Sequence, residues 1–431
     1  MKKFASYLIP SLVASLLMSM YAIVDGIFVG QKIGDSGLAA INITWPITSF
    51  LQSIGTAFGL AGGIYIQKLK GKEELKSNQI KLTTIVIILI LGVFFGLMFY
   101  FLRTPLLWSL GATGTSYTYA VQYLKIILMG SVFQMLGMGL LPLLKNSNKV
   151  KIAACASLMS VFTNLGLDYL FIFVADMDLA GAALASVLAQ VISSIICLTA
   201  YFKELKGISF KKEDILELAK TSIAPFILAF SYSIVIIITN LVCKSYGGDE
   251  AVAAYTLLSY LSYILIALAC AVGDSIQPLF SYNQVQHEYK ENKKMLMICF
   301  SISFFICLCV SITMYLCKKQ LGDLYNLSNV ASKYYNDGLI YYVIGALFVS
   351  FIKVAASYFY AIDAKIFANI IVFLEPFVLT PIGFLLFCFS FKLYGVWVAY
   401  IFVQATLFIV SASLVVIKEK KIFREECNLQ Y

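Results

Sequence analysis

The sequence predicts an all-α integral membrane protein of twelve transmembrane helices in two six-helix lobes. Three observations carry this. Of 431 residues, 61% are hydrophobic and 13% are charged, about half the charged share of an ordinary soluble domain. Apolar runs long enough to cross a bilayer recur twelve times along the chain. The two halves of the chain also match one another in sequence.

The mean hydropathy of +0.87 leaves room for twelve crossings and short loops, with no sizeable soluble domain. The net charge of +9 is explained by the loop bias that orients membrane proteins, so nucleic acid is not an expected partner. Nine of the ten cysteines lie in apolar runs, where they read as small packing residues, and Cys427 lies in the tail. His287 is the only histidine and sits in a charged loop. No zinc site, no histidine-dependent catalytic triad and no cofactor are expected.

The first run, 7–30, follows Met1-Lys2-Lys3 and resembles a signal peptide. It outlasts an h-region, however, and Asp25 stands where a small-residue cleavage site belongs, so it reads as the first span. Runs 38–67 and 82–102 follow, and the Gly55-x-x-x-Gly59 and Gly92-x-x-x-Gly96 spacings on them predict close helix approach. Gly71-Lys72 starts a loop but lacks the ending of a phosphate loop. Runs 119–144, 152–175 and 179–202 complete the first half. Runs 215–243, 251–282, 295–317, 334–360, 366–390 and 394–417 make the second. Pro10, Pro46, Pro142, Pro225, Pro278 and Pro381 lie within or at the ends of spans, where a missing N–H predicts bends.

An offset of 214 to 215 aligns Pro10 and Asp25 with Pro225 and Asn240, Gly59 with Gly273, and Gly130 with Gly345. It also aligns Gly181, Ala185 and Gln190 with Gly395, Ala399 and Gln404. The lobes are therefore expected at 1–214 and 215–431. Six spans per lobe give both halves the same polarity, with an axis along the membrane normal and a central cavity, which is a transporter plan.

An ionised side chain at mid-membrane costs at least about 2.5 kcal/mol, so each intramembrane acid is a functional candidate. Asp25 shares a helix face with Tyr21, and Asn164 and Asp168 hold the same i, i+4 relation, with Ser186 at similar depth. Two carboxylates among oxygen-rich neighbours suit a sodium ion at Asp25, Asn164 and Asp168, or protons shared between close acids. The plainer reading is that these groups satisfy one another between helices. Lys353, Glu375 and Asp274 share a depth in the second half, either as a helix-to-helix ion pair with Asp274 facing water or as a group binding cationic substrate.

The stretch Asp25-Gly-Ile-Phe-Val-Gly30, the turn Leu110-Gly-Ala-Thr-Gly114, Asn164-Leu-Gly-Leu-Asp168, Gly181-Ala-Ala-Leu-Ala-Ser186 and Gln277-Pro-Leu-Phe-Ser-Tyr-Asn283 together resemble the multidrug and toxic compound extrusion (MATE) transporters over essentially the whole chain. The resemblance implies a monomeric antiporter of the bacterial plasma membrane, not an enzyme. It would export organic cations and amphipathic drugs against inward protons or sodium. It also implies a coupling site of Tyr21, Asp25, Asn164, Asp168 and Ser186, and a hinge at Pro10. Departures from the family pattern are serine at Ser186 where threonine is frequent, Asp274 where small residues are common, Glu375 where arginine is common, and Lys145-Asn-Ser-Asn148 in place of Arg-Ala-x-Gly. The rivals are a flippase for lipid-linked precursors, which needs cavity cations beyond Lys353 and Lys125, and a membrane enzyme, which needs a nucleophile and base in one space.

Placing the N-terminus inside puts 23 of the 32 basic residues on the cytoplasmic side and 8 outside, with Lys353 in a span. Both termini and the loops 68–81, 145–151, 203–214 and 283–294 are then cytoplasmic. On a cysteine-free background, single cysteines at positions 72 and 290 should resist an impermeant thiol reagent applied to intact cells. Labelling from outside at either position would overturn this topology.

Overall fold

Hydrocarbon offers a peptide group no water to bond with, so a chain this apolar must satisfy its backbone within each span, and the helix does so. The structure is a computed structural model that describes residues 2–69, 73–205 and 213–429. Among them every regular element is a helix. In order these are α1 (Lys2–Ile33), α2 (Asp35–Lys68), α3 (Glu74–Ser109), α4 (Gly114–Met129), α5 (Ser131–Asn146) and α6 (Val150–Asp168), which runs into a π-helical segment at Tyr169–Val174. Then come α7 (Asp178–Thr199), the short α8 (Phe202–Leu205), α9 (Glu213–Val285), α10 (Tyr289–Leu316), α11 (Lys318–Leu324) and α12 (Asn329–Ala361). A second π segment, Glu375–Leu379, separates α13 (Lys365–Leu374) from α14 (Thr380–Phe391), and α15 (Leu393–Leu429) ends the chain.

Nine helices among the described residues are long and apolar enough to cross a membrane, and the α4–α5 pair adds a tenth as one bent crossing. The two arms of α9, divided at Gly248, count separately, and α1 supplies the remaining crossing of the twelve. Helices run past the apolar stretches that announced them, because polar residues at the ends still complete helical turns. The sharp breaks fall at glycine. The α4–α5 pair bends by 63° about Gly130, and Gly248 turns α9 with φ 66° and ψ −155°, a conformation that any Cβ would strain. Pro46, Pro105 and Pro142 lie inside helices that continue through them. The backbone of α1 is helical through Pro10, whose side chain lies outside the described set.

The half-length repeat is visible in the backbone. Asn148 and Asp363 both take left-handed φ, 61° and 58°. The next N–H in each half reaches back five residues, Lys149 to the Leu144 carbonyl at 2.9 Å and Ala364 to that of Phe359 at 2.8 Å. Packing divides the chain differently from the repeat. Val24–Leu241 forms one compact unit, and Met1–Ile23 with Val242–Tyr431 forms the other. The repeat lobes 1–214 and 215–431 are thus a relation of sequence, whereas α1 and α9 each contribute to both packing units.

In the Val24–Leu241 unit, α2 and α5 meet backbone to backbone. A Cβ on Gly55 or Gly59 would overlap the carbonyl of Met135 or Gly139, and one on Gly139 would reach within 2.6 Å of the Gly55 carbonyl. α3 joins them where the Ser131 hydroxyl donates to the Gly92 carbonyl at 2.8 Å. At the other end of α3, the Glu204 carboxylate accepts from Lys81 at 2.7 Å and Lys149 at 2.5 Å. Partial burial pushes the Glu204 carboxyl up, but the two ammonium groups outweigh it and hold the group below its ordinary value.

The other unit packs around Val272, Ile276 and Phe280 of α9 and Ile352, Ala355 and Phe359 of α12, and Leu8 of α1 joins this core. Phe300 stacks on Phe351 at 3.9 Å and Tyr342 on Tyr400 at 4.0 Å. Gly338 admits the buried Trp397 ring, since a Cβ there would lie 3.1 Å from it.

The α2–α5 contact makes a stability prediction. Gly59→Val should cost about 1–3 kcal/mol, the usual penalty for overpacking, read as a lowered melting temperature in detergent. Gly166→Ala, where an added Cβ meets nothing within 4 Å, should leave it unchanged or slightly raised. Equal melting of wild type and Gly59→Val would mean that the two helices part more easily than their backbone contact implies.

Candidate functional site

Four of the five residues of the expected coupling site fall within the Val24–Leu241 unit. The fifth, Tyr21, is one turn before Asp25 on α1, and its side chain lies outside the described residues. Asn164 and Asp168 stack one turn apart on α6, both completely buried, and Ser186 on α7 is 7% exposed. The tight α6–α7 junction brings these helices together, for a Cβ on Gly181 would sit 2.9 Å from the Phe171 side chain. Asn164 Nδ2 donates to Ser186 Oγ over 3.4 Å. Asp25 is half-buried and near enough for its charge to act on Asp168.

Hydrogen bonding at this group is incomplete. Asp25 Oδ1, Asn164 Oδ1 and both carboxylate oxygens of Asp168 are buried and make no hydrogen bond of ordinary geometry among the described residues, although the Asn164 amide is close enough to act on Asp168. Each such acceptor costs about 1–3 kcal/mol if left bare, more when charged. A site with this many acceptors and so few donors is suited to taking in protons or a hard cation. Of the mutual hydrogen bonds that the plainer reading expects, the described residues show the one from Asn164 to Ser186. The helix beyond Asp168 supports a local specialisation, because it opens into a π turn in which Ala175 N–H bonds the Leu170 carbonyl, five residues back, at 2.8 Å. Such turns concentrate at functional sites.

The repeat mate of Asp25 is chemically closed. Asn42 Nδ2 donates to Asn240 Oδ1 at 3.1 Å, and Asn240 Nδ2 donates to the Asn42 carbonyl at 2.9 Å. Asn240 is a satisfied buried amide, whereas Asp25 keeps an acceptor free.

Sequence reading missed the layer beside the two acids. Phe28 packs edge-on against Phe173 at 5.4 Å and Tyr169 at 6.4 Å, and past these rings Lys32 pairs with Asp176. The same two helical rods that carry Asp25 and Asp168 are therefore bridged again toward their ends. The signal in the sequence is a lone charge at the end of α1 and another in the turn after the π segment.

In the other unit, Lys353, Glu375 and Asp274, for which both an ion pair with Asp274 apart and a common substrate-binding group were open, fall into two groups. Lys353 Nζ lies 3.8 Å from Glu375 Oε2, and Gln404 Nε2 donates to Glu375 Oε1 at 2.7 Å. Glu375 also opens the second π segment. Asp274 instead accepts from Ser357 Oγ at 2.7 Å and Gln277 Nε2 at 2.9 Å. Glu375 thus follows the ion-pair reading, and Asp274 stands apart on an exposed face.

Comparison with known proteins follows the same lines. The MatE family model matches residues 10–170 and 222–385. Multidrug export protein MepA of Staphylococcus haemolyticus is 26% identical over 319 residues, covering 72% of this chain and 70% of that protein. Its namesake in Staphylococcus saprophyticus is 27% identical over 316 residues, 71% and 70% of the two chains. Among solved structures, the inward-facing conformation of a multidrug resistance MATE family transporter of the MOP superfamily superposes with a TM-score of 0.85 at 18% identity, over 94% of this chain and 95% of that one. The MATE multidrug transporter DinF-BH gives 0.75 at 23% identity, over 98% and 96%. With both halves of the repeat matched by one family model and the twelve-helix fold shared along nearly its full length, this chain belongs to the MatE family.

Proposed function

We propose that this protein is a secondary antiporter that exports organic cations and amphipathic drugs in exchange for inward protons or sodium. Family membership and the multidrug export role named for its relatives support the export half of this reading. The observation that carries the exchange half is the cluster of unbonded buried acceptors at Asp25, Asn164 and Asp168. Empty, that cluster holds two carboxylates in a poor dielectric; with a proton or sodium aboard, the repulsion is relieved. Occupancy therefore changes the energy of this unit, which is what a coupling site requires.

In this reading both termini face the cytoplasm, the protein acts as a monomer in the plasma membrane, and Tyr21 and Pro10 of α1 serve the same cycle. A flippase for polyanionic headgroups would need free cations at depth, and Lys353 is held by Glu375. An enzyme would need a nucleophile activated by a base, and the hydrogen bond of Ser186 Oγ among the described residues is with the Asn164 amide, not with a carboxylate.

Asp168→Asn should abolish gradient-driven drug efflux from proteoliposomes while the protein still folds and inserts, and Asp25→Asn should reduce efflux at least tenfold. Separate proton and sodium gradients identify the ion, since only the coupled one should energise wild-type efflux. Wild-type rates in both mutants would sink the assignment of the coupling site.

A further inference from the structure

Asp274 lies on a span and has no cationic partner among the described residues. It lies eleven residues before the end of α9 at Val285, about 16 Å along a helix at 1.5 Å per residue, and yet its side chain is exposed. Its surroundings differ from a lipid-facing surface. On α3 the exposed face is Val93, Phe94, Leu97 and Phe101, as acyl chains demand. On α9 the exposed or half-buried positions that share Asp274's face at helical spacing are Tyr263, Ala267, Cys270, Gln277, Pro278 and Ser281, with Ala271 buried among them. A stripe with a carboxylate, an amide and hydroxyls at that depth faces water or a solute, since in hydrocarbon the acid alone would cost at least about 2.5 kcal/mol.

The carboxylate is also oriented. Ser357 and Gln277 both donate to the same oxygen, Oδ1, and Oδ2 of this exposed residue takes no hydrogen bond among the described residues. Gly273 makes this possible: a Cβ there would come 2.7 Å from the Cβ and Oγ of Ser357, so only glycine lets α12 press its serine against α9. Lys353, one turn before Ser357, is drawn to Glu375. Among the described residues no cation pairs with Asp274. The local balance of Asp274, Lys353 and Glu375 is one uncancelled negative charge.

We infer that Asp274 Oδ2 is the recognition point for a single positive charge carrying an N–H donor, the protonated or delocalised amine of an amphipathic monocation. This rests on the export reading above and adds the residue and the charge class that it selects. Ser357, Gln277 and Gly273 are positioning residues: they fix one carboxylate oxygen so that the other meets the ligand with less conformational entropy to lose.

The test uses the full chain in nanodiscs and two fluorescent probes, ethidium as a monocation with amine donors and N-phenyl-1-naphthylamine as a neutral compound. Asp274→Asn should weaken ethidium binding at least tenfold and change the neutral probe by less than twofold. Asp274→Glu should recover part of the ethidium affinity. Ser357→Ala, which keeps the charge but frees its orientation, should weaken ethidium three- to tenfold with the neutral probe unmoved, and it carries the comparison should Asp274→Asn fail to fold. Unchanged ethidium affinity in Asp274→Asn or in Ser357→Ala, or parallel losses for both probes, would overturn the inference. Efflux by the wild type, measured in the same preparation, separates the two readings. Absence of gradient-driven ethidium efflux would defeat the exporter, whereas ethidium binding indifferent to Asp274 in an efflux-active protein would defeat only this site.

Discussion

No polar group can be left bare in hydrocarbon without a cost of several kcal/mol, and this single constraint orders the rest of the structure. It makes every span a helix. It turns serine and threonine hydroxyls back onto carbonyls of their own helix, as Thr84 does to Ile80 and Thr256 to Val252. With water removed as a driving partner, helix association falls to contact and to small residues. That is why Gly55, Gly59 and Gly139 meet carbonyls directly and why Ser131 bridges to Gly92. Against this background the acceptors gathered around Asp25 and Asp168 stand out as a group, and so does the exposed carboxylate of Asp274.

The two halves of the repeat show what the constraint conserves and what it frees. Turn geometry is kept at Asn148 and Asp363. So is the pressing of Gly181 on Phe171 and of Gly395 on Phe387, because each closes a span and has few physical alternatives. The charged positions diverge. Asp25 becomes Asn240, which Asn42 satisfies on both sides, and Asp168 becomes Gly383. The second half carries its own acids at unrelated positions, one neutralised by Lys353 and one not. Both π segments begin beside an acid, at Asp168 and Glu375, but not at matching positions of the repeat. A shared scaffold thus carries two different sets of intramembrane charge.

Much of this was legible in the sequence because it follows from one-dimensional patterns. Span number, the repeat, the glycine approaches and the i, i+4 pairing of Asn164 with Asp168 need only hydropathy and helical spacing. Azimuth was not legible. Counting residues gave Lys353, Glu375 and Asp274 a common depth, but which face each takes depends on helix rotation, and a π turn alters that rotation by inserting a residue. The two sharpest breaks were not legible either. Helices continue through Pro46 and Pro142, and breaks come at Gly130, where Val187 leaves no room for a Cβ, and at Gly248, whose left-handed φ favours glycine. The packing units were hidden too, since membership of α1 and α9 in both depends on long-range contacts that no local pattern records.

That the two charge groups share no residue bears on how the proposed exchange would work. A transporter in which coupling ion and drug compete for one carboxylate needs no change of shape to make their binding mutually exclusive. Here the acceptors around Asp25 and Asp168 and the hydrogen-bonded group of Asp274, Ser357 and Gln277 have no residue in common. If both groups serve transport as proposed, their coupling must pass through a conformational equilibrium that each biases, and its strength is the difference in each ligand's affinity between the two states. Reciprocity then follows: whatever factor the ion imposes on drug affinity, the drug imposes on ion affinity. The structure places candidate elements for such an equilibrium beside the charges themselves, in the π turns after Asp168 and at Glu375, where a shift of one residue in hydrogen-bond register would rotate the helix beyond the acid without unmaking it.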